Sequence, residues 1–206
     1  MLRLRSSIGK RPHIYVGIGP TYFSSYHYYF CCAAECIPTL VQQNVDGSDF
    51  FNRSWAEFKV GFNVSRGNYW LGNDLLHQLT MSGHYKLRFD LQASDDGSWY
   101  YAKHSSFVVL GEATNYRMHV SGYSGNAGNG FSYHDGMMFT TYDRDNDPWN
   151  SPSYINSCAV YNGGGFWYKT CSYANVNTVR GHGRNFRWWA NGRNMLLQAS
   201  RMWLMC

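Results

Sequence analysis

The chain has few charges. Asp, Glu, Lys and Arg together make up 15% of 206 residues, and the 18 Lys and Arg are scattered rather than gathered into a run. A stripe of cations along one face is the footprint of a nucleic-acid binder, so a dedicated nucleic-acid partner is not expected, and the net charge of +5 reads as solubility with weak attraction to anionic surfaces. A long apolar run is also missing. Arg3, Arg5, Lys10 and Arg11 precede an uncharged stretch from Pro12 to Ala34, as in a targeting segment. The stretch carries Gly17, Gly19, Ser24 and Ser25 and lacks a compact apolar centre, so no stable membrane span is expected. Residues 1–40 read as an atypical N-terminal segment, either targeting or incomplete. There is no internal repeat, no heptad pattern and no collagen-like period, which excludes coiled-coil or collagen-like assembly within this stretch. No nucleophile elbow, HExxH, phosphate loop or redox CxxC occurs. His77, His104, His119 and His134 fall in different elements without ligand spacing. The expectation is a protein that is not an enzyme.

What is present is aromatic and glycine-rich: 17 Tyr, 12 Phe, 8 Trp and 21 Gly. Rigid rings and turn glycines suit a turn-rich, β-containing fold with a real core, and they argue against disorder. Six cysteines, an even number, fit an oxidising compartment and hence secretion. Cys31, Cys32 and Cys36 imitate part of a zinc site, but no further ligand follows at zinc spacing. Asn52-Arg-Ser54 and Asn63-Val-Ser65 are glycosylation acceptor patterns.

From Ile37 onward the sequence alternates elements with turn signals. The run Asn52–Lys59 reads as a short helix burying Trp55, Phe58 and Phe51, and Asn73 is placed to cap a second helix over Asp74–Leu79. Strict alternation over Tyr85–Leu91 predicts a half-buried strand, and Asp95-Asp96-Gly97 a hairpin turn. Ser98–Lys103, Ser106–Leu110 and Asn115–Val120 follow as strands, and Gly122–Gly130 as loop.

Asp143-Arg-Asp145-Asn-Asp147 sets three carboxylates on alternate residues. A hard cation such as Ca2+ takes six to eight oxygens in irregular geometry, and such a loop supplies them if it curls. An EF-hand is excluded, because its sixth and twelfth positions are here Pro148 and Tyr154 instead of Gly and Glu. A solvated acidic turn reads equally well from spacing alone. Cys158 and Cys171 then enclose Tyr161-Asn-Gly-Gly-Gly-Phe-Trp-Tyr168. A bridge between them would stabilise by about 3 kcal/mol on the loop-entropy model. The glycines permit close approach of a ligand to the backbone, and aromatic walls suit an acetyl group. Phe166 and Trp167 are assigned to the core.

Taken together and in order, Asp46-Gly-Ser-Asp-Phe-Phe-Asn-Arg-Ser-Trp55, Tyr69-Trp-Leu-Gly-Asn-Asp74, Tyr85-Lys-Leu-Arg-Phe-Asp90, Gly122-Tyr-Ser-Gly-Asn-Ala-Gly128, Phe139-Thr-Thr-Tyr-Asp-Arg-Asp-Asn-Asp147, Cys158-Ala159, Phe166-Trp-Tyr168, Cys171 and Ala174-Asn-Val-Asn177 resemble the fibrinogen C-terminal domain family, which includes ficolin- and tachylectin-like lectins and angiopoietin-type ligands. The resemblance covers residues 41–206. It implies an α+β domain with a central, mostly antiparallel sheet, short helices and a long-loop calcium and ligand subregion. It implies a Cys158–Cys171 disulfide and calcium held by the side chains of Asp145 and Asp147 and the carbonyls of Trp149 and Ser151. It implies a ligand pocket at Tyr161, Asn162, Cys171 and Ser172, with Trp188 as the far wall and a cis Thr170–Cys171 bond. Cys206 would pair with one of Cys31, Cys32 or Cys36. The expected function is that of a secreted, calcium-dependent lectin for acetylated glycans of N-acetylglucosamine type, in innate immune recognition. The alternative is binding of a protein receptor or peptide. Ser172 stands where the family commonly has His, and Thr178 where it has Gly.

Overall fold

The computed structural model describes residues 37–63, 67–150, 157–179 and 186–206. The protein divides into two units, Met1–Ala34 and Glu35–Cys206, and all described residues lie in the second. This unit is α+β and built on an open, mostly antiparallel sheet of nine strands. In sequence order these are β1 (Thr39–Asn44), β2 (Phe62–Asn63), β3 (Tyr69–Trp70), β4 (Lys86–Ala93), β5 (Trp99–Val109), β6 (Met118–Gly125), β7 (Ala174–Asn175), β8 (Arg187–Ala190) and β9 (Arg193–Met205). The spatial order is β2-β3-β1-β9-β4-β5-β6, and β7 joins through β8 to β9. The long β9 is thus central: it pairs with β1 and β4 along one part and with β8 along another.

The alternation of β4 is realised. Leu87, Phe89 and Leu91 are buried while Lys86, Arg88 and Asp90 face the other way. The two strands expected over Ser98–Leu110 form one continuous strand, β5. Strand β6 starts later and runs further than alternation predicts. At its start, Asn115 and Tyr116 adopt positive φ of 54° and 48°. That backbone is held by tertiary bonds: the Tyr116 hydroxyl donates to Asp74 and its carbonyl accepts from the Trp167 indole at 2.8 Å. At its end, Gly122 and Gly125 lie inside the strand rather than in a loop. A Cβ on Gly125 would stand 2.3 Å from the Tyr101 carbonyl oxygen, so only glycine allows strands β5 and β6 to close there.

Helix α1 (Trp55–Val60) begins at Ser54, whose hydroxyl accepts from the Glu57 N–H while the Glu57 carboxylate accepts from the Ser54 N–H. It buries Trp55 and Phe58. Helix α2 (Asn73–Ser82) starts after Gly72 without a side-chain cap. Asn73 is buried instead, and its carboxamide oxygen accepts from the Trp70 indole. Helix α3 (Cys158–Asn162) is a single short turn.

The core is aromatic and continuous between the sheet and the long C-terminal loops. Phe89 packs on Phe131 at 4.8 Å, Phe107 and Trp70 each lie 6.1 Å from Trp167, and Phe139 bridges Phe58 and Trp167. Phe166 and Trp167 are fully buried, as expected.

Candidate functional site

The three aspartates of the acidic run have different roles. Asp143 accepts from the Trp55 backbone N–H at 2.8 Å and from Thr141 Oγ1 at 2.7 Å, so it anchors the first turn of α1. Asn146 pins the loop from within: its N–H donates to Thr140 Oγ1 and its carboxamide to the Phe139 carbonyl. Asp145 and Asp147 remain side by side. The Asp147 N–H points at Asp145 Oδ1 at 3.4 Å, and Asp147 accepts from the N–H groups of Trp149 and Cys158 at 3.0 and 2.9 Å. No basic side chain pairs with either carboxylate among the described residues. Burial, reinforced by the neighbouring Asp145, pushes the Asp147 carboxyl up to about 7 despite its two backbone donors.

That electrostatic situation fits a hard cation, which would favour both ionised carboxylates. No group of three His, Cys, Asp or Glu converges among the described residues. A metal at Asp145 and Asp147 would therefore need backbone carbonyls and water to complete its shell. Trp149 follows two residues after Asp147, beyond Pro148, and Ser151 lies outside the described residues.

Asp147 also ties the acidic loop to the disulfide, since its second oxygen binds the Cys158 N–H that opens α3. Cys158 and Cys171 are bonded, with Cα atoms 5.2 Å apart. Cys206 is also disulfide-bonded, and the question of Cys31, Cys32 or Cys36 falls outside the described residues. The Thr170–Cys171 bond is trans, contrary to the expectation, as a non-proline peptide ordinarily is.

The glycine run serves the protein's own packing rather than ligand approach. A Cβ on Gly164 would meet the Asn177 carbonyl oxygen at 1.8 Å, and one on Gly165 the Phe58 ring at 2.5 Å.

The expected pocket residues are distributed unequally. Tyr161 is 41% exposed, and its ring lies 5.6 Å from that of Trp149. Asn162 is buried, and its side chain is committed internally: Nδ2 donates to the Cys158 carbonyl and Oδ1 accepts from Asn175. Thr178 is absorbed in the same knot, its hydroxyl donating to the Asn162 carbonyl. Ser172 is buried, and its Oγ has no hydrogen-bond partner among the described residues. Trp188 lies apart from these. It is buried against Phe89 at 4.9 Å, and its indole donates to the Gly128 carbonyl.

Alternation along β8 turns the next residue, Trp189, the other way. Its ring lies 4.4 Å from Tyr173, which in turn stacks on Tyr133 at 4.0 Å and 13°. The Tyr133 hydroxyl hydrogen-bonds Thr170, and Lys169 lies 5.0 Å over the Tyr133 ring. These three rings flank the segment Thr170–Ser172, and no spacing in the sequence marks them. Beneath them is His134, fully buried. Its Nε2 accepts from the N–H groups of Tyr173 and Ala174 at 3.2 and 3.1 Å, so Nδ1 carries the proton and donates to the Trp167 carbonyl at 2.7 Å. Burial holds this imidazole at about 4. A lone His between Tyr133 and Asp135 gives no sign in the sequence that it positions the strand after Cys171.

Comparison with known proteins agrees with the fold. Fibrinogen-like protein A of Apostichopus parvimensis is 39% identical over 142 residues, covering 68% of this chain and 48% of that protein. Human microfibril-associated glycoprotein 4 is 36% identical over 162 residues, covering 76% and 61%. The sequence thus spans less than two thirds of these relatives. Among solved structures, the fibrinogen-like globe domain of human ANGPTL2 superposes with a TM-score of 0.72 at 34% identity, over 81% of this chain and 79% of that one. A lamprey fibrin D-dimer complexed with the peptide Gly-His-Arg-Pro-amide gives 0.69 at 30%, over 82% and 61%. Residues 21–202 match the family model of the C-terminal globular domain of fibrinogen beta and gamma chains, and the protein belongs to that family.

Proposed function

We propose that this domain is an extracellular, calcium-dependent recognition module that binds a protein or peptide on the face beside Cys171. The observation that carries the reading is the Tyr133–Tyr173–Trp189 cluster, partly exposed and stacked next to the disulfide. Aromatic anchors with polar edges are the residues from which protein interfaces draw most of their energy. By contrast, the residues expected to hold a small acetyl group are mostly closed, since Asn162 is spent internally and Trp188 is in the core. The lamprey fibrin complex with Gly-His-Arg-Pro-amide is a precedent in the family for peptide recognition. A disulfide-bonded protein suits an oxidising, extracellular setting. No helix of the described residues is long and apolar enough to cross a membrane. The role is binding rather than catalysis.

One observation favours a second reading, an acetylated glycan of N-acetylglucosamine type. Among the described residues Ser172 keeps a buried hydroxyl without a partner, and Tyr161 of the same expected pocket is exposed. In either case calcium at Asp145 and Asp147 neutralises the paired carboxylates and steadies α3 through Asp147. Titration of the oxidised protein with calcium, followed by thermal unfolding, tests the metal: the midpoint rises, and Asp145→Ala abolishes the rise. An undiminished rise in that variant places the metal elsewhere. Equilibrium binding of Gly-His-Arg-Pro-amide and of N-acetylglucosamine, each with calcium and with chelator, separates the ligand classes. Peptide binding lost in Tyr173→Ala supports the first reading. Binding of the sugar alone, unaffected by that change, would replace it with the second.

A further inference from the structure

The sheet has a second face, away from the core, that the ligand reading does not use. The two-residue period places Lys86, Arg88 and Asp90 of β4 on it, with Tyr101 and Lys103 of β5. Pairing sets these side chains in rows across the strands. Arg88 stands opposite Lys103 on one side and Trp203 on the other, and Asp90 stands between Tyr101 and Arg201. Four cations, Lys86, Arg88, Lys103 and Arg201, therefore share these rows with one carboxylate, Asp90.

Asp90 is engaged by Arg88 at 2.7 Å, which leaves the other three cations without a carboxylate in those rows. Like charges directly opposite on neighbouring strands are destabilising, and Arg88 facing Lys103 is such a pair. The rings on this face are used to hold cations. Arg88 and Lys103 approach the Tyr101 ring at 5.4 and 5.3 Å, and Arg201 approaches Trp99 at 5.3 Å. Trp99 and Tyr101 nevertheless stay 45% and 37% exposed. Next to Lys103, whose ammonium lies over Tyr101, is a cavity of about 290 Å3 lined by Lys86, Lys103, Ser105, Gly122 and Ser124 among others. Cys206 closes the cavity on the Lys86 side, where its oxygen accepts from Lys86 Nζ at 3.2 Å, and the two lysines and two serine hydroxyls remain as hydrogen-bond donors along its wall.

We infer that this face binds a sulfated polysaccharide, with Lys86 and Lys103 bracketing a sulfate in the cavity and Trp99 and Tyr101 offering apolar surface to the adjoining sugar rings. Surplus positive charge on a flat, exposed, aromatic surface calls for a polyanion. The disulfide places the protein in an oxidising compartment, where a sulfated glycan is the fitting polyanion and a nucleic acid is not. The proposal is independent of the ligand assigned to the Cys171 face.

Retention on immobilised heparin at 0.15 M NaCl tests it, followed by affinity as a function of salt. The intact protein is retained, and its affinity falls steeply with salt, because neutralising a polyanion releases counterions. Lys86→Gln/Lys103→Gln weakens binding about tenfold and flattens the salt dependence. Arg117→Gln/Arg193→Gln removes the same charge from elsewhere and changes affinity less than about twofold. Lys86, Lys103 and Arg193 are exposed, while Arg117 is half-buried and donates to the Gly136 carbonyl, so equal thermal midpoints are required of both pairs before affinities are compared. Equal losses in the two pairs would show attraction by net charge alone and overturn the site, as would absence of retention at 0.15 M NaCl. Desulfated heparin binding as tightly as heparin, or polyglutamate or single-stranded DNA outcompeting it at equal charge, would overturn the ligand class.

Discussion

The β4–β5 hairpin and the disulfide loop from Cys158 to Cys171 are held together in different ways. In the hairpin, six consecutive residue pairs from Leu87–His104 to Gln92–Trp99 are in register, and the buried side chains repeat every second residue. In the loop, order comes from side chains reaching for backbone across sequence: Asp147 to Cys158, Asn177 to Gly165, His134 to Trp167 and Tyr173. A ladder is local and redundant. A set of single polar contacts is neither, so each residue of the loop matters more individually and announces itself less.

The two histidines that are buried among the described residues make the same contrast within one residue type. His104 lies in β5 and His134 beneath the loop, and burial lowers both to about 4. His134 has three backbone partners, whereas neither ring nitrogen of His104 has any. One is a strut and the other a tolerated polar group in a hydrophobic position.

The largest effect is expected where the two regions meet. Trp167 packs on the sheet through Phe107 and Trp70 and is wired to Tyr116, so Trp167→Ala should cost about 3–5 kcal/mol in urea unfolding. A loss under about 1 kcal/mol would mean that the regions are not one cooperative core. Opening the disulfide with Cys158→Ala/Cys171→Ala should cost about 3 kcal/mol. Under hydrogen exchange the loop should lose protection more than the hairpin does. Uniform loss would erase the distinction.

Acid probes the histidines. Each must stay neutral in the folded protein but takes a proton near pH 6.5 when unfolded. Between about pH 6.5 and 4 the unfolded state therefore binds more protons, and the stability present above pH 6.5 is lost as pH falls through that window. His104→Leu should reduce this loss and raise the midpoint at pH 5, because it also removes two unpartnered polar atoms. His134→Leu should lower the midpoint at every pH, since it orphans the Tyr173 and Ala174 N–H groups. The same sign of change in both variants would refute the contrast. The smallest effect is local: Ser54→Ala should cost about 1 kcal/mol by removing the α1 cap, measured as a shift of the urea midpoint without change of slope.

The strands were legible where residues alternate, as in β4, because burial on one face imposes that period. The start of α1 was legible in principle too: Ser54 and Glu57 stand at the spacing of a capping box, a better signal than Asn52. The start of β6 was not, since the positive φ of Asn115 and Tyr116 depends on partners in α2 and the disulfide loop. The glycine run looked like an opening for a ligand because a sequence shows the missing side chain and not the Phe58 ring that occupies its place.

Taken alone, then, the residues were enough for the α+β class, the family, the aromatic core and the acidic loop. Those depend on residue types and short spacings. The placement of Trp189 against Tyr173 and of Trp188 in the core, the use of Asp143 as an anchor for α1, the internal commitment of Asn162 and the charge surplus across β4, β5 and β9 are settled by tertiary structure. Each is decided by which residues, distant in sequence, stand within a few ångströms, and by which face of a strand turns to the core.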